Sequence, residues 1–444
     1  MRRPTSAPAR PVAPALVALL EDALGAPPPV RIVAWDGSSA GPDIGAPTVT
    51  LHSPRALQRL VRHPGELGAA QAYVTGELSI DWPVERALRH VWEQARRRAT
   101  RRIRLSPNMI RDAVGILRAA DAFGRPPAPP ATQIAVTGRL HSRRRDAAVI
   151  HHHYDIPTDF YELILDDAMA YSCGYVTGAS LDAHETPAYT LEDAQRDKLD
   201  LVCRKLGLDQ RPGMRLLDVG CGWGALSLHA AEHYDARVTG VTIAREQQQF
   251  VEKRAADRGL TDRVTIRLQD YRDVADRPYD AVASLEMGEH AGDRGYPAFV
   301  ETLRRNAAPH ARILVQQMTR RGRHPGGGPF IEAFIAPDMT MRPVGETVEL
   351  LERGGLEVRD VHALREHYVW TVRAWQDRFV AAREELVRLV GEEVVRVWEL
   401  YLAGGLLAFE EGRMGVDQIL AVPATGAPAT VPAVRPATWS DPRG

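Results

Sequence analysis

The sequence predicts an α/β protein, with a mostly parallel sheet covered by helices on both faces and a smaller α+β domain before it. Three observations predict this. From about residue 200, strand-like and helix-like stretches alternate. One strand-like stretch ends in a glycine-rich turn that feeds a helix. A proline-rich span, FGRPPAPPATQ at residues 123–133, separates this region from what precedes it.

The alternation begins with the helical LEDAQRDKLDLVCRKLGL, which leads into the strand-like RLLDVG. ALSLHAAEHY, ARVTGVTI, REQQQFVEKRAADRG, RVTIRLQ, YDAVASLE and ARILVQQMT follow. Such βαβ units place helices on both faces of a parallel sheet. Upstream, ALVALLEDAL has helical spacing, VRIVAW and PTVTLH read as short strands, and ERALRHVWEQARRRATRRIRL reads as a basic helix. Four prolines within residues 123–133 mark an extended linker. The expected organisation is an N-terminal domain over 15–122, a linker over 123–138, the main domain over 139–422 and a loose Pro/Ala/Thr-rich tail over 423–444. The last part of the main domain, from HYVWTVRAW onward, reads as largely helical.

A formal net charge of -1 gives no global field, so nucleic acid is not an expected partner. Attraction to a membrane must then be local, and the arginine-rich stretch from Arg96 to Arg118 is the candidate, with an anionic membrane surface as its partner. Only Cys173, Cys203 and Cys221 are present, which is no disulfide framework and fits a reducing compartment. Neither their spacing nor the run His151–His153 suits a metal, since neighbouring side chains do not aim at one ion. No apolar run reaches the length of a transmembrane helix, and the N-terminus reads as an amphipathic helix after a disordered lead. The expected location is cytoplasmic, peripheral on the inner face of the cell membrane.

In LLDVGCGWG, the turn Gly220, Gly222, Gly224 lets the backbone bend sharply and lets a ligand approach the main chain. Ligands of such sheets bind at the carboxyl ends of the strands. The spacing is not that of a dinucleotide site, and the next strand ends near Thr242 and Gln247 where such a site would want an acid.

HYDIPTDFYELILDDAMAYSCGY, LLDVGCGWGALSLHAAEHY, VTGVTIAREQ, SLEMGEHAG and HYVWTVRAW together resemble the cyclopropane-fatty-acyl-phospholipid and mycolic acid cyclopropane synthases. AYVTGELSIDW resembles the N-terminal domain of the phospholipid enzymes. The resemblance implies a Rossmann-like class I methyltransferase fold and S-adenosylmethionine as cofactor. It implies that Tyr171, Ser172 and the loop Gly220, Gly222, Gly224 touch the cofactor, with Thr242 and Gln247 near its ribose and Asp270 and Tyr271 near its adenine. Backbone N–H groups at a helix N-terminus suit the methionine carboxylate.

An alkene attacks a sulfonium methyl only if held in line and shielded from water. The resulting carbocation needs an aromatic lining and a proton acceptor. Tyr154, Phe160, Tyr161 and Tyr171 form an aromatic-rich strip, and the resemblance implies that Tyr154 faces the cation. It also implies a bound bicarbonate as proton acceptor, held by Cys173, Glu289 and Tyr368, with Gln316 in the position of the family's histidine and Met318 in that of its isoleucine. Glutamine can donate to an anion but cannot take up a proton, so bicarbonate binding stays open while a relay through residue 316 does not. Immediate proton loss closes a cyclopropane; a hydride shift first gives a methylene branch.

The resemblance thus implies methyl transfer to the double bond of an unsaturated phospholipid acyl chain and, by analogy with family members that make such chains, a 10-methylene product, with cyclopropane formation as the alternative. A homodimer and a downstream reductase acting on a methylene product are further expected partners. Two rival readings are a lipid-binding protein that keeps a relict methyltransferase fold, and a methyltransferase for small soluble O or N acceptors.

Overall fold

The structure is a computed structural model that describes residues 11–97, 111, 114–116, 118, 125–135, 138, 140–143, 145, 156–178, 180–276, 278–322, 326–426 and 431–441. The chain divides into two compact units, residues 1–133 with 390–407, and residues 134–389 with 408–444. The division falls at the carboxyl end of the proline-rich span, between Gln133 and Ile134. The return of residues 390–407 to the first unit had no signal in the sequence.

The first unit holds α1 (Val12–Leu24), β1 (Arg31–Val33), β2 (Ser39–Ala40), β3 (Thr48–Leu51), α2 (Pro54–Arg62), α3 (Glu66–Val74), β4 (Leu78–Ile80) and α4 (Val84–Arg97). Its sheet runs β2-β1-β3-β4, with only β1 and β3 parallel. Leu16, Ile32, Leu51, Leu57 and Leu78 make its core. Arg96 and Arg97 are exposed at the end of α4. Most of the basic stretch beyond them, 98–110, lies outside the described residues.

The second unit begins with α5 (Thr158–Glu162) and α6 (Leu191–Leu206). Thr190 starts α6 with a capping box: its hydroxyl accepts from Asp193 N–H while the Asp193 carboxylate accepts from Thr190 N–H. Gly207 ends it at φ 76°. The seven strands are β5 (Arg215–Val219), β6 (Arg237–Thr242), β7 (Val264–Leu268), β8 (Tyr279–Leu285), β9 (Ala307–Arg320), β10 (Leu356–Ala363) and β11 (Met414–Pro423). Between them in sequence lie α7 (Ala225–His233), α8 (Arg245–Asp257), α9 (Gly292–Asn306), α10 (Pro329–Phe334), α11 (Val344–Arg353), α12 (Arg365–Ala381), α13 (Arg383–Val390) and α14 (Glu392–Glu410), the last belonging to the first unit through residue 407.

The sheet order is β10-β11-β9-β8-β5-β6-β7. The strands from β9 through β7 are parallel, while β11 is antiparallel to both β9 and β10. The order reverses at β5 and β8, which makes their carboxyl ends the expected binding crevice. Leu217, Val219, Val282, Ile313, Val315 and Ile419 carry the core across the sheet.

The segment read as a loose tail departs from expectation. Val431 and Trp439 are buried, Tyr175 Oη donates to the Ser440 carbonyl at 2.9 Å, and Arg435 pairs with Asp360. One tryptophan and one arginine give this otherwise polar, proline-rich segment anchors that composition averages away. No helix among the described residues is long and apolar enough to cross a membrane.

Candidate active site

The carboxyl edge of the sheet gathers the predicted residues. Gly220 follows β5, Thr242 ends β6, Asp270 follows β7, and Glu286 follows β8. Gly220, Gly222 and Gly224 all take positive φ, at 80°, 53° and 81°. A Cβ on Gly220 would strike Met287 and one on Gly224 would strike Val251, but one on Gly222 would meet nothing within 4 Å. Open space therefore lies over the middle of the loop. Tyr171, Gly220, Gly222, Glu286 and Met287 keep accessible surface although their neighbours are buried, which outlines a cleft.

The fit of S-adenosylmethionine rests on two further features. Thr242 Oγ1 donates to Gln247 Oε1 at 2.7 Å, which turns Gln247 Nε2 outward, and that buried nitrogen has no partner. A ribose hydroxyl would satisfy it. Ser172 and Tyr171 stand on the opposite segment, with the Ser172 carbonyl accepting from Gln195 Nε2 at 2.8 Å. Asp270 is at the edge as expected, but its carboxylate is taken by Arg272 through N–H, Nε and Nη2 contacts of 2.6–2.9 Å. Tyr271 packs its ring on Phe299 at 5.9 Å.

Of the five residues expected to ring the chemistry, Cys173, Gln316 and Tyr368 come together. The carboxylate on which they converge is Glu286, not Glu289. Cys173 N–H and Gln316 Nε2 donate to Glu286 Oε1 at 2.9 and 2.8 Å, and Tyr368 Oη donates to Oε2 at 2.8 Å. Gln316 is aimed by Gln418, its neighbour on β11, whose Nε2 donates to Gln316 Oε1 at 3.0 Å. The Cys173 thiol points away, toward the carbonyls of Gly174 and Leu364, and burial holds it neutral. Its contribution to the cluster is a backbone N–H.

Glu286 adopts φ 53°. Left-handed backbone costs a side-chain-bearing residue about 1–2 kcal/mol. Burial raises its carboxyl above the ordinary range near 4.5, and the three donors with Lys198 pull it part of the way back. Its place just after β8 puts it at the edge of the sheet, but nothing in the sequence favours it over Glu289.

Glu289 sits one 3₁₀ turn further on, fully buried, and accepts from Met318 N–H at 2.5 Å. Burial, reinforced by the Glu286 charge, pushes it up to about 8 from an ordinary 4.5. At neutral pH the native state holds a proton that the unfolded chain has released. Stability from this group therefore falls as pH rises between those two values, by about 1.4 kcal/mol per pH unit. Glu289→Gln, shaped like the neutral acid, should flatten that part of the Tm–pH curve. A parent-like slope in the variant would show that Glu289 is not the group responsible.

An aromatic wall runs beside the cluster. Ring centroids step from Phe160 to Tyr161 (5.9 Å), Tyr171 (5.9 Å), Trp375 (5.5 Å), Tyr368 (6.0 Å) and Phe409 (4.5 Å). Tyr368, Thr371 and Trp375 share one face of α12 by their i, i+3, i+7 spacing. Thr371 Oγ1 accepts from Gly174 N–H at 3.0 Å, which fixes the segment carrying Cys173. Trp375 and Phe409 were not foreseen. Tyr154 and the three preceding histidines lie outside the described residues.

The sequence pattern of the mycolic acid cyclopropane synthetase family matches residues 141–419. A Mycobacterium tuberculosis protein named "Probable fatty acid methyltransferase Rv3720" is 35% identical over 402 residues, covering 88% of this chain and 91% of that protein. The tuberculostearic acid methyltransferase UfaA1 of the same organism is 33% identical over 403 residues, covering 88% and 87%. The crystal structure of mycolic acid cyclopropane synthase CmaA1 complexed with SAH and CTAB superposes with a TM-score of 0.57 at 31% identity, covering 62% of this chain and 98% of that one. The matched span holds the glycine loop, the aromatic wall and the Glu286 cluster, and the chain belongs to the mycolic acid cyclopropane synthetase family of S-adenosylmethionine-dependent methyltransferases.

Proposed function

We propose that this enzyme methylates the double bond of an unsaturated phospholipid acyl chain and releases a methylene-branched chain, with Glu286 as the proton acceptor. The observation that carries the proposal is the convergence of Cys173 N–H, Gln316 and Tyr368 on one carboxylate beside an aromatic wall. These are three of the positions at which the family resemblance puts donors to bicarbonate. A carboxylate supplied by the chain serves there in place of a bound anion.

S-adenosylmethionine supplies an electrophilic methyl group. The glycine loop, Ser172 and Gln247 would hold it at the edge of the sheet. As the alkene π pair bonds to that methyl carbon, the S–CH3 bond breaks with its electron pair leaving on the thioether of S-adenosylhomocysteine, and a cation is left on the adjacent chain carbon. Tyr171, which keeps accessible surface, is placed to face such a charge, a contact worth about 0.5–2 kcal/mol, with the buried rings of Tyr161, Trp375 and Tyr368 packed behind it. A hydride shift moves the cation to the methylated carbon. Loss of a proton from the transferred methyl group to Glu286 then forms the C=CH2 methylene branch. A fixed carboxylate, already held by three donors, supports waiting for the shift. The names of the two relatives, a fatty acid methyltransferase and a tuberculostearic acid methyltransferase, support the same class of product. The basic stretch from Arg96 to Arg118 is proposed to bind the anionic membrane surface on the cytoplasmic face. A reductase would be needed to turn the product into a saturated methyl branch.

The test is mass spectrometry and NMR of lipids from cells expressing the protein. The expected result is acyl chains heavier by one CH2 with vinylidene protons. Upfield ring protons at the same mass would establish cyclopropane formation instead, and unmodified lipids would remove the activity.

A further inference from the structure

Lys198 is a buried cation of the second unit that the chemistry above leaves unused. It lies on α6 with 1% of its surface exposed. Its Nζ donates to Ser172 Oγ at 2.9 Å. Among the described residues it forms no ion pair within contact distance. A buried ammonium without a contacting partner is unfavourable, so its retention calls for a distant or bound counter-charge.

The carboxylates of Asp166, Glu286 and Asp218 supply the distant one. Ser172 and Cys173 are joined by one peptide. Lys198 holds the first through its hydroxyl, and the N–H of the second holds Glu286. Because Ser172 Oγ accepts from Lys198, its own proton is directed elsewhere and is available to an acceptor in the cofactor cleft. One turn earlier on α6, Gln195 Nε2 grips the carbonyls of Ala170 and Ser172 at 3.3 and 2.8 Å. The segment bearing Tyr171 and Ser172 is thus fastened to α6 at three atoms.

We propose that Lys198 is a positioning residue for methyl transfer: its charge favours the ionised form of Glu286, and its hydrogen bond turns the Ser172 hydroxyl toward the cofactor. This rests on Glu286 being the proton acceptor. The groups facing Lys198 are Asp166 after α5, Cys173, Asp218 on β5 and Glu286 after β8, with Cys203 and His229 also within its field. Those facing Glu286 include Tyr368 and Glu289. Of these, Glu286 alone both senses Lys198 and lies among the donors of the reaction cluster through its carboxylate.

The test compares Lys198→Met, which removes charge and donor, with Lys198→Gln, which removes only the charge. Turnover is followed against pH and S-adenosylhomocysteine affinity by calorimetry. The expected result is an acid limb of kcat moved up by about one pH unit or more in both variants. Cofactor affinity should fall about tenfold in the methionine variant and recover in the glutamine variant. An unchanged pH profile in a folded variant that binds cofactor overturns the proposal, as does failure of both variants to fold, which assigns Lys198 a structural role. Glu286→Gln separates the two readings: if it stays active, the proton acceptor is wrongly assigned. If it is inactive while Lys198→Met keeps the parent pH profile, only the role of Lys198 falls.

Discussion

Glu286→Gln should lower kcat by about 10²–10⁴-fold while leaving cofactor affinity within about threefold. The substitution keeps the shape of the side chain and one carbonyl oxygen for the Cys173 and Gln316 donors. It removes the group that takes the proton, and it turns an amide N–H₂ toward the Tyr368 hydroxyl that now donates to Oε2. The parent rate should rise with pH through a limb above the ordinary glutamate value near 4.5, because burial raises this carboxyl and only its ionised form accepts a proton. That limb should vanish in the variant. Glu286→Gly is the sharper companion. It removes the carboxylate, relieves φ 53° by about 1 kcal/mol, and leaves three donors around a hole. Added bicarbonate should then restore part of the turnover. Steady-state kinetics with an unsaturated phospholipid decide the matter, and a fully active glutamine variant would remove Glu286 from the chemistry.

Gly222→Leu should abolish cofactor binding, with affinity reduced about a hundredfold or more. The added side chain enters the open space over the loop, since no protein atom lies within 4 Å of the new Cβ. It also forces a non-glycine residue to φ 53°, at about 1–2 kcal/mol. The fold should survive with a modestly lower Tm. Gly220 and Gly224 would not give so clean a result, because Cβ atoms there strike Met287 and Val251 at 2.7 and 2.6 Å and disturb the packing itself. Calorimetry with S-adenosylhomocysteine, beside thermal melts, reads both effects. Parent-like affinity in the leucine variant would move the cofactor off this loop.

The parallel half of the sheet and its glycine loop were legible because each strand is a short apolar run closed by a turn and followed by a helix. The antiparallel pair was not. MGVDQILAVP follows a long helix and carries no alternation, being buried along most of its length, so periodicity could not separate it from the helix before it. The choice between Glu286 and Glu289 was invisible for a different reason. SLEMGEH offers two glutamates three residues apart, and which one enters the cleft depends on one left-handed residue and on the pairing of Leu285 with Gln316. Linear sequence shows neither. The amide chain from Gln418 to Gln316 likewise exists only because β11 lies beside β9.

That position of β11 ties the enzyme to its own synthesis. The strand is made after the other strands of its sheet, yet it inserts between β9 and β10 rather than adding at a margin. A nascent chain that has emerged only as far as α13 can fold the parallel strands and present a glycine loop. It still lacks Gln418, has an open flank along β9, and has no Ser440 carbonyl to receive Tyr175. Domains fold as units while the ribosome is still adding residues, so a chain halted early would hold cofactor before it could aim Gln316 at Glu286. Catalytic competence is thereby reserved for chains translated past β11.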